Sequence, residues 1–343
     1  MERILVTGNL GYIGMILSED LLNEGFDIVG VDTNFYRDNK LHEFEFSREF
    51  LQINKDIREL GIEDLKGFDS IIHLAALSND PLGKLKPTLT NDINFKGSLR
   101  LAKVAKEAKV KRFLFSSSCS IYGATDNKKL NENDSLQPLT VYAQSKVNLE
   151  QGLSELADDT FSPCYLRNST AYGISPNMRF DLVINNLMGW AFVTKQIKIL
   201  SDGKAWRPLV HVRDISNAFI AALKAPKEII HNEAFNVGVD PGNYQVKTMA
   251  EEIQNLMNEC EIKILGEKNP DNRNYIVSFD KIKNNLKHFK PNWNLKKGIE
   301  EIYNLFNEIN LNFEDFEDKN FTRLKQLKYL IENKFINDNL YWN

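Results

Sequence analysis

Ile4-Leu5-Val6-Thr7-Gly8-Asn9-Leu10-Gly11-Tyr12-Ile13-Gly14 begins as an apolar run and turns into three glycines spaced three apart. The run reads as a fully buried strand, and Gly11 to Asn23 reads as a helix that Gly25 stops. Glycines at such a strand-to-helix turn let backbone N–H groups approach a pyrophosphate, while the helix N-terminus adds partial positive charge. Working outward, Ile28-Val29-Gly30-Val31 is a second buried strand ending at Asp32, and further strands lie at Asp69 to Leu74, Phe113 to Phe115 and Cys164-Tyr165-Leu166. Helical stretches, Asn91 to Ala108 and Val141 to Leu156, fall between them. Strands alternating with helices predict an α/β fold, a Rossmann-type doubly wound parallel sheet with ligands at the carboxyl ends of its strands.

Asp32, at the end of the second strand, is placed to accept from both hydroxyls of a cofactor ribose. A carboxylate there repels a 2′-phosphate, so the expected cofactor is NAD rather than NADP. Asp56 and Ile57 follow another short apolar step and are expected to border the adenine. His73-Leu74-Ala75-Ala76 ends a strand in small residues that allow close approach of the cofactor, with His73 itself read as a packed strand histidine.

Tyr142-Ala-Gln-Ser-Lys146 places a phenol and an ammonium one helical turn apart on the same face. A neighbouring positive charge favours phenolate, so the tyrosine can accept a proton far below its free pKa of about 10. Upstream, Ser116-Ser117-Ser118 closes the Phe113-Leu114-Phe115 run. Glycine turn, serine and Tyr-xxx-Lys pair, in that order, predict a nicotinamide site with Tyr142 as base and Ser118 holding a substrate hydroxyl.

After Tyr172-Gly173 the pattern loosens. Helices are expected at Phe180 to Thr194, Met249 to Met257 and Ile299 to Ile309, and Trp206 to Val212 reads as a strand returning toward the sheet. The expected organisation is an NAD-binding domain over residues 1–173, joined again by 209–240, a smaller α/β substrate lobe over 174–310 and a helical extension over 311–343. In that extension Phe321, Leu324, Leu327, Leu330 and Ile331 form an apolar stripe, expected to pack on the body or, alternatively, to meet another subunit.

Composition narrows the setting. The chain has 343 residues, is 42% hydrophobic and carries a net charge of −4, which gives no basic excess for nucleic acid. Three cysteines, Cys119, Cys164 and Cys260, suggest neither a disulfide framework nor a metal set and fit a reducing cytoplasm. Met1-Glu2-Arg3 leads straight into a strand, so no signal peptide is expected. No apolar run approaches the ~20 residues that cross a bilayer.

Together these motifs resemble the extended short-chain dehydrogenase/reductase family, in particular its nucleotide-sugar epimerases and dehydrogenases, over roughly residues 1 to 300. The resemblance rests on the glycine turn, His73-Leu74-Ala75-Ala76, Ser116-Ser117-Ser118 before Tyr122-Gly123, Tyr142-xxx-Lys146, and Arg167 with Tyr172-Gly173. It implies a substrate hydroxyl on Ser118, proton transfer by Tyr142, and Lys146 on the nicotinamide ribose. The implied cofactor set adds Gly8, Leu10, Gly11, Tyr12, Ile13, Gly14, Leu74, Ala75, Ala76 and Asn94. The implied substrate set is Ser78, Ser118, Asn168, Asn186, Arg207 and Arg273, with the arginines making charge-assisted bonds to phosphate. No metal is implied. A homodimer or higher oligomer is, through helices near 92–108 and 142–157.

Departures narrow the chemistry. The family's 4,6-dehydratases carry an Asp-Glu pair after the position of Ser118, where this chain has Cys119 and Ser120. The family's 3,5-epimerase/reductases use a cysteine and a histidine; Cys119 is one position away from that cysteine, Ile174-Ser175-Pro176 has no histidine, and Cys119 reads as a small buried hydrophobe. Hydride transfer at one carbon, C4, remains. A finer resemblance, through Leu77-Ser78-Asn79-Asp80-Pro81-Leu82, Leu166-Arg167-Asn168, Trp206-Arg207-Pro208-Leu209 and Leu340-Tyr341-Trp342, is to proteins of polysaccharide clusters that oxidise C4 of a GDP-heptose. It implies net oxidation of a GDP-sugar for capsule assembly. The alternatives are a 4-epimerase acting on a UDP-, dTDP- or GDP-sugar with no net redox change, and a catalytically silent NAD-binding protein.

Overall fold

Seven strands build the centre: β1 (Arg3–Thr7), β2 (Asp27–Asp32), β3 (Leu51–Asn54), β4 (Ser70–His73), β5 (Arg112–Ser118), β6 (Ser162–Asn168) and β7 (Glu233–Val237). The computed structural model describes residues 2–78, 86–266 and 273–343, with the side chains of 125–127 outside that description; Asn79 to Leu82 therefore lie outside it. All seven strands run parallel, in the spatial order 7-6-5-4-1-2-3. A sheet covered on both faces needs strands apolar on both faces. β1 shows this: Ile4 and Val6 pack into one apolar layer with the helices Tyr12–Asn23 and Val212–Lys224. Leu5 packs into the opposite layer with the helices Ser98–Glu107 and Val141–Leu156.

The helix expected at Asn91 to Ala108 is interrupted. It starts as Pro87–Asn91, passes through a π-helical stretch Asp92–Gly97 and resumes as Ser98–Glu107. π-Helical turns cluster at functional positions, and this one carries Asn94.

The second lobe grows out of β6, which continues through Ser169 into the strand Thr170–Tyr172. Trp206–His211 pairs with that extension, parallel through Leu209 to His211, and antiparallel with Asn243–Gln245. It therefore joins a separate three-stranded sheet rather than the large one. The segment that does return to the large sheet is β7, after helix Val212–Lys224 has packed against helix Tyr12–Asn23. A parallel ladder between Ala124–Leu130 and Asn274–Val277 ties the lobe to the body. A third apolar cluster, with Phe180, Leu187, Leu209, Phe306 and Phe316, forms the lobe's core.

The C-terminal stripe packs on the chain's own body. Helix Arg323–Glu332 buries Leu327 and Leu330 in the layer that holds Leu5, while Phe321 enters the lobe's core. Among the described residues no helix is long and apolar enough to cross a membrane.

Candidate active site

The strand order reverses between β1 and β4, and the crevice outside their carboxyl ends is where an open α/β sheet binds its ligand. The glycine turn lines it. Gly8 has φ +74°, and a Cβ there would lie 2.7 Å from the Ala75 nitrogen. A Cβ on Gly14 would lie 2.2 Å from the Gly8 carbonyl oxygen. No side chain caps the helix at Gly11, so its first-turn N–H groups face the crevice mouth, as a pyrophosphate requires. A cradle that only glycine fits, at a helix N-terminus and beside an acid, suits a dinucleotide. Gly8→Ala pays about 1–2 kcal/mol for its positive φ alone and meets Ala75 besides. It is expected to yield protein carrying no nucleotide, read by absorbance of the denatured supernatant beside a circular dichroism spectrum.

Asp32 accepts from the Leu10 N–H at 3.2 Å and from the Asn34 N–H at 2.8 Å. Burial raises its pKa, and those two N–H bonds oppose the rise. Leu10 thus uses its own amide on Asp32, and its carbonyl accepts from Asn177 at 2.7 Å. The Tyr12 side chain points away from the crevice into the lobe's core, where its hydroxyl donates to the Gly173 carbonyl at 2.5 Å. Any cofactor contact of Tyr12 is therefore through the backbone of the first helical turn. Leu74 donates its N–H to Thr7 at 3.0 Å and continues into Ala75 and Ala76 beside Gly8. Asn94 clamps that loop, accepting from the Leu77 N–H at 2.8 Å and donating to the Leu77 carbonyl at 3.0 Å. It also reaches Ser145, on the helix of Tyr142, at 3.4 Å. Ile57 is buried in the apolar layer, while Asp56 caps the turn Ile57–Glu59 and holds the Arg58 guanidinium at 2.7 and 2.9 Å.

Tyr142 and Lys146 lie on helix Val141–Leu156, whose Thr140 hydroxyl caps it by accepting from the Ala143 N–H at 3.1 Å. The Lys146 ammonium is 5.5 Å from the centroid of the Tyr142 ring and 4.6 Å from that of Phe115. It donates to the Ser116 carbonyl at 2.8 Å, at the end of β5. Ser118 ends β5, donates to Ser120 Oγ at 2.9 Å and faces Asn168 in register across β6. Burial brings Lys146 down to about 7, with Glu150 one turn away pulling the other way. Between pH 7 and 10.5 the folded state therefore binds fewer protons at this lysine than the unfolded chain, so its contribution to stability improves as pH rises. Cofactor-free Lys146→Met, compared with the parent by urea denaturation, is expected to show its largest relative gain at pH 7, shrinking toward pH 10.

His73 is held on both sides, by Thr7 at Nδ1 and by Ser98 at Nε2, each at 2.8 Å. Because Ser98 gives its own proton to the Ile93 carbonyl, the bonding pattern assigns the proton to Nε2. Burial, then Lys146, depress its pKa to about 3, so it stays a neutral packed residue. Cys119 donates to the Arg167 carbonyl at 3.0 Å, and burial pushes its thiol up to about 12, which removes it as a nucleophile.

Of the residues expected to meet the substrate, Ser78 accepts from Arg179 at 3.2 Å. Asn168 donates to Ser116 Oγ at 3.0 Å, and its buried Oδ1 has no partner among the described residues. Asn185 is fully engaged with Gly173, Tyr12 and Arg179, whereas the more open Asn186 makes one side-chain bond, to the Phe180 carbonyl at 2.9 Å. Arg207 donates to the carbonyl of Arg273, so the fold brings these two arginines, 66 residues apart, side by side.

Two features went unread in the sequence. Arg179, buried and held to Asp181 by two bonds of 2.9 Å, also donates to Ser78 and, against its burial, is raised in pKa by Asp181 and, more weakly, by Tyr142. Met178-Arg179-Phe180, a lone cation in an apolar run, was the only signal. Behind Ser118, Arg167 and Glu150 form a buried pair that also holds Ser117 and Tyr122.

A parallel sheet with a glycine cradle at its switch point and a buried lysine under a tyrosine defines a nucleotide-dependent oxidoreductase scaffold. The profile of the NAD dependent epimerase/dehydratase family matches residues 4–238, and the chain belongs to that family of NAD-dependent enzymes. It is 26% identical over 326 residues to the UDP-glucose 4-epimerase of Bacillus subtilis strain 168, covering 87% of this chain and 94% of that protein. It is 30% identical over 275 residues to the UDP-glucuronate 4-epimerase of Thermodesulfobacterium geofontis, covering 75% of this chain and 81% of that one. Its fold matches that of MoeE5 in complex with UDP-glucuronic acid and NAD, with a TM-score of 0.77 at 24% identity over 89% of this chain and 99% of the other.

Proposed function

We propose that this protein is a nucleotide-sugar 4-epimerase, with a UDP-sugar the first candidate substrate. The observation that carries the reading is Lys146, buried under the Tyr142 ring and fastened to the end of the strand that presents Ser118. Bound NAD supplies the acceptor and donor of hydride at the sugar carbon. Ser118 and Tyr142 hold the 4-hydroxyl, and Tyr142 takes its proton as the ketone forms and returns it as the alcohol is restored. Lys146 favours the phenolate and keeps the ring placed. Asp32 holds the adenosine ribose, and Asn186, Arg207 and Arg273 take the substrate's diphosphate end.

Support for epimerisation over net oxidation comes from the two relatives named above, a UDP-glucose 4-epimerase and a UDP-glucuronate 4-epimerase. Dehydration lacks its acid/base pair at Cys119 and Ser120. The test is a panel of UDP-, dTDP- and GDP-sugars, GDP-heptose included, followed by NMR at C4 and by absorbance of NADH. An inverted C4 without accumulating NADH is expected. A 4-keto product with stoichiometric NADH returns the reading to net oxidation, and bound NAD without turnover makes the protein a silent binder. The helices near 92–108 and 142–157 are the proposed dimer contact, read by light scattering on the eluting protein.

A further inference from the structure

We propose that residues 335–343 are part of the cofactor site: this terminal hairpin braces the adenosine end of the crevice and slows exchange of the bound dinucleotide. The inference rests on the placement of the adenosine ribose at Asp32.

The hairpin is a built structure. Ile336 bridges Trp342, Asn337 N–H donates to the Tyr341 carbonyl at 2.8 Å, and Asn343 N–H donates to that of Phe335 at 3.0 Å. Ile336 and Leu340 anchor it, 1% and 3% exposed, in the apolar layer that holds Val31, Phe35 and Ile57. From this anchor it grips two separate loops. Trp342 Nε1 donates to the carbonyl of Thr33, the residue after Asp32, at 2.6 Å. The same ring lies 5.6 Å from Phe35, with the Arg37 guanidinium 5.6 Å from its centroid. One residue earlier, Tyr341 lies 4.0 Å from the Arg58 guanidinium, which also donates to the Asn339 carbonyl at 3.0 Å while holding Asp56. The loops carrying Thr33 and Asp56 follow β2 and β3, and a doubly wound sheet offers such carboxyl-end loops to the adenosine half of a dinucleotide.

A second observation comes from the start of the extension. Arg323 is 2% exposed, stacks 4.1 Å from the Tyr36 ring centroid and donates to Asn177 Oδ1 at 2.7 Å. Asn177 in turn holds the carbonyls of Leu10, in the glycine turn, and Tyr36. The Arg323 Nη1 is buried with no partner among the described residues. A cation held this deep, beside the glycine turn and beside Asp32, is costly to bury and suits a neighbouring anion. The extension thus reaches the glycine turn through Asn177 and directly touches the loops that carry Thr33 and Asp56.

The experiment measures exchange of bound NAD for labelled NAD in solution, with melting curves run in parallel. Proteins compared are the parent, Trp342→Phe, Trp342→Ala, Tyr341→Ala, a truncation after residue 334 and Asp32→Ala. Trp342→Ala and the truncation are expected to exchange about tenfold faster or more, near the factor for one lost hydrogen bond and its aromatic contact. Trp342→Phe, which keeps a ring but loses the N–H, falls between and remains informative if the truncation does not fold. Exchange within twofold of the parent in all tail variants, with Asp32→Ala fast, makes the hairpin mere packing and overturns the inference. Unchanged exchange in Asp32→Ala as well overturns the adenosine placement itself, and the inference with it.

Discussion

Tyr142→Phe is expected to lower kcat by about 10²–10⁴-fold, the range for losing a placed acid/base group, while the purified protein keeps its NAD. The substitution removes only the hydroxyl. The ring that lies against Lys146 remains, and Lys146 keeps its bond to the Ser116 carbonyl. The cradle at Gly8 and Gly14 is untouched, so nucleotide content measured on denatured protein should match the parent. Ser118→Ala should cost less, because it holds the substrate hydroxyl without being the final proton acceptor. A Tyr142→Phe protein turning over within threefold of the parent moves the base elsewhere.

Arg167→Met is expected to destabilise the fold by about 3–5 kcal/mol, since it leaves a carboxylate buried without its cation. Glu150 takes three bonds from Arg167, at 2.7, 3.1 and 3.3 Å, and one from Ser117 at 2.5 Å, with both charged side chains 7% exposed. Adding Glu150→Leu should restore most of the loss, because well-packed apolar residues often replace a buried pair at little cost. The exposed pair Lys66–Glu63 offers the contrast, for which Lys66→Ala should change stability by less than about 1 kcal/mol. Urea denaturation of the four proteins checks this, and equal loss in the single and double variants contradicts the buried-charge account. The pair also matters to chemistry, since Glu150 supports the charge on Lys146.

Local pattern made the first half readable. β1, β2 and β4 announce themselves as apolar runs, and helix Val141–Leu156 has the predicted bounds. The glycine turn was decisive because its chemistry is local to a few residues. What failed to show was long-range. The ladder of Ala124–Leu130 is written in polar residues, Ala-Thr-Asp-Asn-Lys-Lys-Leu, and exists because Asn274–Val277 pairs with it. Trp206–His211 has the composition of a strand, yet its partner is set by where β6 runs on past Ser169. Arg207 and Arg273 were linked only through the resemblance, with no local pattern to pair them, and Tyr341-Trp342 read as a tail until its contacts with Thr33 and Arg58 were seen.

The most direct test of proton and hydride exchange at C4 uses the sugar accepted in the panel, deuterated at C4, with NMR of the product. An inverted C4 that still carries its deuterium is expected, with none in solvent and none in free NADH. Deuterium recovered in free NADH beside a 4-keto sugar, or an inverted C4 that has lost it, contradicts the account.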